Sequence, residues 1–199
     1  ANASRAYWDN QTGKIEITGK DLLKLKDAKL TLNSYQTDSE TPNIELHGRE
    51  ITLDDSEIIM MGYYNMISVW DEMYSAQHTN LSGRKLTLIE AEESVSLIND
   101  SVISVTSGDV KINARDIIID ESIIYNGNFW PVANSAVSLI SLDAKRNITL
   151  TDSSIYGETI SNFKRMQVNL EGLQLDSSNS LVAIFDERKG RSGSIDLDF

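Results

Sequence analysis

Apolar and polar residues alternate along this chain in short bursts, and the bursts recur. Six segments share one pattern: Ile17–Leu25 (ITGKDLLKL), Leu46–Leu53 (LHGREITL), Leu81–Leu88 (LSGRKLTL), Ile112–Ile119 (INARDIII), Leu142–Leu150 (LDAKRNITL) and a shortened Leu170–Leu175 (LEGLQL). Each has an apolar residue, one spacer and a small residue. A polar pair comes next in all but the last, then apolar-x-apolar. The small residues are Gly19, Gly48, Gly83, Ala114, Ala144 and Gly172, spaced roughly 30 residues apart, and such a fixed period marks a repeat architecture. Strict alternation with β-branched residues is the signature of strands rather than helices.

The residues after each copy repeat as well. An acidic-small pair stands at Asp27-Ala28, Asp55-Ser56, Glu90-Ala91, Glu121-Ser122 and Asp152-Ser153, with Ser177-Ser178 in the last copy. An apolar residue then returns at Leu30, Ile58, Ile123 and Ile155. Asp and Ser bond their own backbone, so such a pair between two strands reads as a tight corner. A small residue before the polar pair fits where the chain bends and neighbouring backbones approach. The pattern predicts one all-β domain over 1–199, a right-handed parallel β-helix of about six coils of roughly 30 residues with loop insertions on one side. Within it, 1–12 lead in, 13–175 carry the repeats and 176–199 form a C-terminal coil or cap.

Stacked coils about 4.8 Å apart would align inward residues in columns. The sequence sets Ile51, Leu86, Ile117 and Ile148 in one column and Leu53, Leu88, Ile119 and Leu150 in the next. Thr52, Thr87, Ile118 and Thr149 then point to solvent. Ile117, Leu150 and Leu53 are expected to be buried.

Two insertions interrupt the pattern. One, between Gly62 and Asn80, carries Tyr63, Tyr64, Trp70, Met73 and Tyr74; the other, Asn126–Ala136, carries Phe129, Trp130 and Pro131. Both leave after the acidic-small corner, as does a shorter segment at Tyr156–Lys164, so all three should emerge on one side. The rings of Tyr63, Tyr64, Trp70, Tyr74, Phe129 and Trp130 have two readings. They cover an apolar edge of the stack, as buried tryptophans commonly do. Alternatively they form a platform for a glycan or protein, flanked by Asp71, Asn126 and Asn128, because solenoids place variable insertions on their binding face.

Composition narrows the function classes. With 18 basic and 30 acidic residues the net charge is −12, which disfavours nucleic acid and anionic membrane surfaces as partners. No apolar run is long enough to span a bilayer, and no signal peptide is visible ahead of the repeats. Cysteine is absent, which removes disulfides and thiolate chemistry. His47 and His78 stand far apart with no serine triad context. The acidic corner residues Asp27, Asp55, Glu90, Glu121 and Asp152 read as turn chemistry in preference to calcium ligands, since no Gly-Gly-x-Gly-x-Asp motif accompanies them. No cofactor and no metal are expected.

Lines such as Gly108–Ile124 (GDVKINARDIIIDESII), with the tail Asn179–Phe185 and Gly193–Phe199, resemble the repeats of filamentous-haemagglutinin-type, autotransporter-like bacterial β-helix exoproteins. The likeness runs over residues 13–199. It implies a non-catalytic extracellular or cell-surface module, a stalk or adhesin segment, with further coils of a longer chain upstream; it brings no catalytic motif. A polysaccharide lyase or hydrolase is the runner-up, because such enzymes use right-handed β-helices and paired carboxylates. Asp71, Glu72, Asp143 and Glu158 are the acids available, without a pair singled out by spacing. A phage or virus fibre segment is a third reading, favoured if the chain trimerises.

Overall fold

The computed structural model describes residues 6–9, 14–35, 43–63, 85–106, 108–128, 138–159, 166–186 and 193–199. All regular structure among them is strand. In chain order the strands are β1 (Ala6–Asp9), β2 (Lys14–Thr18), β3 (Leu22–Lys26), β4 (Lys29–Tyr35), β5 (Asn43–Asp54), β6 (Glu57–Tyr63), β7 (Lys85–Ile98) and β8 (Val102–Thr106). The second half continues with β9 (Gly108–Asp120), β10 (Ile123–Asn128), β11 (Ser138–Thr151), β12 (Ser154–Thr159), β13 (Met166–Glu171), β14 (Gln174–Ser178), β15 (Leu181–Asp186) and β16 (Ser194–Asp198).

Two sheets result, and the chain alternates between them. Sheet A runs β1-β4-β6-β8-β10-β12-β15; sheet B runs β16-β13-β11-β9-β7-β5-β2, with β3 also on β5 and β14 also on β11. Every pairing is parallel. Parallel neighbours cannot be joined by a tight hairpin. The chain therefore reaches each neighbour by way of the other sheet, an arrangement consistent with a β-solenoid.

The apolar columns exist, with one repeat assigned differently from the sequence reading. Leu23, Ile51, Val95, Ile117, Ile148 and Leu175 align, as do Leu25, Leu53, Leu97, Ile119 and Leu150 beside them. Ile117, Leu53 and Leu150 are buried as expected. Leu86 and Leu88 do not belong to these columns. They pair with Asn43 and Glu45 in the earlier half of β5, and both are only half-buried while their neighbours Thr87 and Ile89 are buried. Thr87 thus faces inward, not to solvent. The physical reason is register: β9 turns Val110 and Ile112 inward, and these pair with Thr87 and Ile89. A one-residue slip would reverse every side chain of the strand.

The same shift moves the small residue of that repeat from Gly83 to Ala91, which pairs with Gly48. It also moves the corner from Glu90-Ala91 to Asn99-Asp100-Ser101, and the last corner is Asn179-Ser180 rather than Ser177-Ser178. Beyond the corners the inward column is Leu30, Ile58, Ile103, Ile124, Ile155 and Val182. Leu30, Ile58 and Ile155 are buried as expected, but Ile124 is buried and Ile123 exposed, so in that one coil the column passes one position later than the sequence pattern sets it.

The corners show why acids and serines recur there. Asp27, Asp55, Asn99, Asp100, Glu121, Asp152 and Asn179 all have φ between 47° and 60°. Asp and Asn tolerate this left-handed region better than most side chains. Where a serine follows the corner, its hydroxyl bonds back along its own strand or across to the neighbouring coil, and in Ser56, Ser101, Ser153 and Ser180 it does both. Ser56, Ser122, Ser153 and Ser180 donate their hydroxyls to carbonyls two residues back. The oxygens of Ser56, Ser153 and Ser180 accept the backbone N–H of Ala28, Ser122 and Ser153 in the coil before, at 3.1–3.2 Å. Ser101 does the same for the Ser56 N–H at 3.2 Å. Ser122 and Ser153 are buried. Ser153→Ala should therefore strand the Ser122 N–H and lower stability by about 1–3 kcal/mol, read as a shift in the urea midpoint; an unchanged midpoint would contradict the ladder.

Candidate functional site

Two outer surfaces gather chemistry-bearing side chains. The first is the outward face of sheet A. Next to the buried column the strands align Thr31, which is itself buried, with Ile59, Ser104, Tyr125, Tyr156 and Ala183, which are partly exposed. The parallel register sets Tyr125 against Tyr156, with ring centroids 4.9 Å apart. Phe185 lies two residues further along β15 and meets Tyr156 edge-on at 5.9 Å. A ladder of three rings thus crosses three adjacent strands. The two tyrosines are half-buried, and Phe185 is 49% exposed.

A carboxylate sits among the rings. Tyr125 Oη donates to Glu158 Oε2 at 3.0 Å. Burial, then this bond to Glu158, pushes the Tyr125 phenol well above its ordinary range, so Tyr125 stays a neutral donor at any physiological pH. Aromatic faces beside a fixed hydrogen-bonding pair offer apolar contact and polar orientation together. None of its three rings is among those singled out from the sequence, although Tyr156 opens the shorter segment Tyr156–Lys164. One signal for it exists: Tyr125 and Tyr156 stand at the same offset from Ser122 and Ser153.

Of the rings singled out from sequence, Tyr63 is described as a strand position only, paired with Tyr35 at the end of β6. Tyr64, Trp70, Tyr74, Phe129 and Trp130 lie outside the described residues, as do Asp71 and Glu72. The points of departure do share one edge: Tyr63 pairs with Tyr35, and Asn128 with Thr159. Asn126 is buried and donates to the carbonyls of Gly108 and Leu139, at 2.8 and 3.3 Å, tying the end of sheet A to sheet B.

The second surface is a groove of about 680 Å³ on the outside of sheet B. It follows the small-residue column Gly19, Gly48, Ala91 and Ala114, where the long strands bend and their register shifts. Close approach is real at Gly48, where an added Cβ would stand 3.2 Å from the Gly19 carbonyl oxygen. Lys20, His47, Arg49, Glu90, Asp143 and Lys145 line the groove. Asp143 and Glu158 are on different sheets and are not brought together.

Beside the groove, His47 lies between two carboxylates, Nε2 3.4 Å from Glu45 and Nδ1 3.5 Å from Glu90. Glu16, Glu45 and His47 offer ligand atoms within 4.8 Å of one another. Lys14 already occupies the carboxylate pair, its Nζ 3.0 Å from Glu16 and 2.8 Å from Glu45. That ammonium, chiefly, holds the Glu45 carboxyl below its usual range, so a metal would have to displace the lysine. The corner acids Asp27, Asp55, Asp100, Glu121 and Asp152 are exposed, and no helix among the described residues is long and apolar enough to cross a membrane. Comparison of the chain with protein-family models, curated proteins and solved structures finds no match.

Proposed function

We propose that this chain is a stretch of right-handed parallel β-solenoid, six circuits of sheet B and sheet A, that serves outside the cell as a non-catalytic structural and adhesive module. The observation that carries the adhesive part is the ring ladder of Tyr125, Tyr156 and Phe185 beside Glu158. A rigid sheet holds these rings one strand apart, so little side-chain freedom is lost when a ligand docks. Pyranose rings stack on such faces, while the carboxylate and phenol orient sugar hydroxyls. A neutral glycan fits better than an acidic one, given the net charge of −12. The bacterial cell surface and the kinship with filamentous-haemagglutinin-type repeats rest on the resemblance carried by Gly108–Ile124 and the C-terminal tail. The aromatic insertions, leaving the edge of the same sheet, would extend the platform.

The groove on sheet B supports a second reading as a polysaccharide-active enzyme, because Glu90 and Asp143 both line it among three cationic side chains. Incubation with a panel of neutral and acidic polysaccharides separates the two. Retention on a neutral polysaccharide, with no new reducing ends or unsaturated products, is the expected result. Products that vanish in Glu90→Gln or Asp143→Asn would replace the adhesive reading with the enzymatic one.

A further inference from the structure

We propose that the ring ladder on sheet A is a half-open cage for a trimethylammonium group, so that the glycan it holds is one carrying choline substituents. This rests on the adhesive reading and narrows its ligand. The parallel register lays the site out as two rows across three strands. One row is Tyr125, Tyr156 and Ala183; the next is Gly127, Glu158 and Phe185. The rings are inclined to one another. Tyr156 is tilted 45° to Tyr125 and 77° to Phe185, with centroids 4.9 and 5.9 Å away. Inclined faces close round a compact, rounded group. Ala183, opposite Tyr156 and two residues before Phe185, adds only a methyl group and is partly exposed. The corner between those two rings is therefore open to solvent.

Charge selects the occupant. Glu158 shares a row with Phe185 and accepts the Tyr125 hydroxyl on Oε2 at 3.0 Å. Among the described residues no ion pair includes Glu158. A carboxylate without a cation thus sits beside three aromatic side chains, whose faces are themselves electron-rich. Ring faces attract an ammonium within about 6 Å of the centroid. A trimethylammonium meets every feature of this site: its methyl groups make apolar contact, and its diffuse charge needs no hydrogen-bond acceptor. An anionic substituent would be repelled by Glu158 and by a chain of net charge −12. Choline joined to a sugar through a phosphodiester adds no net charge, so the glycan stays neutral overall. A lipid headgroup carries the same chemistry, but reaching it needs rings that stand clear of the sheet, and Tyr125 and Tyr156 are half-buried.

Isothermal titration of the full chain with choline tests this, against the uncharged isostere in which a tert-butyl group replaces the trimethylammonium. Choline should bind at least about tenfold more tightly than the isostere. Glu158→Gln keeps an acceptor for Tyr125 and removes the charge, so it should bring the two ligands to within about threefold. An unchanged melting temperature confirms that the variant is folded. A phosphocholine-bearing polysaccharide should be retained by the protein and released by free choline, while phosphatidylcholine vesicles should not bind. Equal binding of choline and its isostere, a choline preference that survives Glu158→Gln, or vesicle binding displaced by choline would overturn the proposal. Absence of choline binding while the neutral polysaccharide of the panel is still retained would overturn this inference alone. Absence of both would overturn the adhesive reading with it.

Discussion

Ile117→Asp should abolish the cooperative fold. Ile117 is fully buried between Val95 and Ile148 in the sheet B column. A carboxylate there has no partner and no water, and stranding it costs several kcal/mol. Whole domains are stable by only about 5–15 kcal/mol, so one such substitution consumes much of that margin. No coil buries its apolar face alone, so loss of one layer uncouples the coils on either side. Ile117→Val, which deletes one methylene, should cost only about 0.5–1.5 kcal/mol. Circular dichroism and a urea titration of both variants read the effect. An Ile117→Asp protein that melts like the parent would contradict the packing.

Tyr156→Ala should weaken binding of the polysaccharide retained in the panel by about tenfold or more, roughly 1.4 kcal/mol. Tyr156 is the middle ring, touching both Tyr125 and Phe185. Removing it splits the ladder into two isolated rings and takes away the central contact surface. The fold should survive, because the side chain is on the outer face and half-exposed; the lost ring contacts are worth only about 0.5–1.5 kcal/mol each. Tyr125→Phe isolates the polar part. It keeps the ring but removes the donor to Glu158, freeing that carboxylate to meet the ligand or repel it. Affinity gels on the same preparations decide. Unchanged retention by Tyr156→Ala would remove the ladder from the adhesive account.

Much of the fold can be read in the sequence. The alternation, the small residue at the bend and the acidic-small corner all correspond to structural features. Corners such as Asp55-Ser56 and Asp152-Ser153 are legible because left-handed backbone restricts the first residue and the serine ladder the second. The third repeat is ambiguous because two alternating runs overlap there. Leu86-Thr-Leu88 resembles Ile51-Thr-Leu53, yet the strand that takes that place is Val95-Ser-Leu97. Local pattern cannot choose between two such runs; the neighbouring coil does, by turning Val110 and Ile112 inward. The Asp100-Ser101 pair before Val102-Ile103 is the local clue. The ring ladder is less legible because its residues are adjacent only after stacking: Phe185 follows its corner at a different offset from Tyr125 and Tyr156.

Because the chain has no cysteine, introduced pairs report the register directly. Neighbouring parallel strands lie about 4.8 Å apart, within the Cα separation of about 4.4–6.8 Å that a disulfide bridges. Ser96 is paired with Ile118 on the next strand, both pointing away from the core columns. Ser96→Cys/Ile118→Cys should form an intramolecular disulfide under mild oxidation, seen as a loss of two free thiols with no dimer. Thr87→Cys/Ile118→Cys, the pair required if Leu86 and Leu88 filled the core columns, should keep both thiols. The opposite outcome, bridging through residue 87 and not through residue 96, would contradict the stack on which the rest depends.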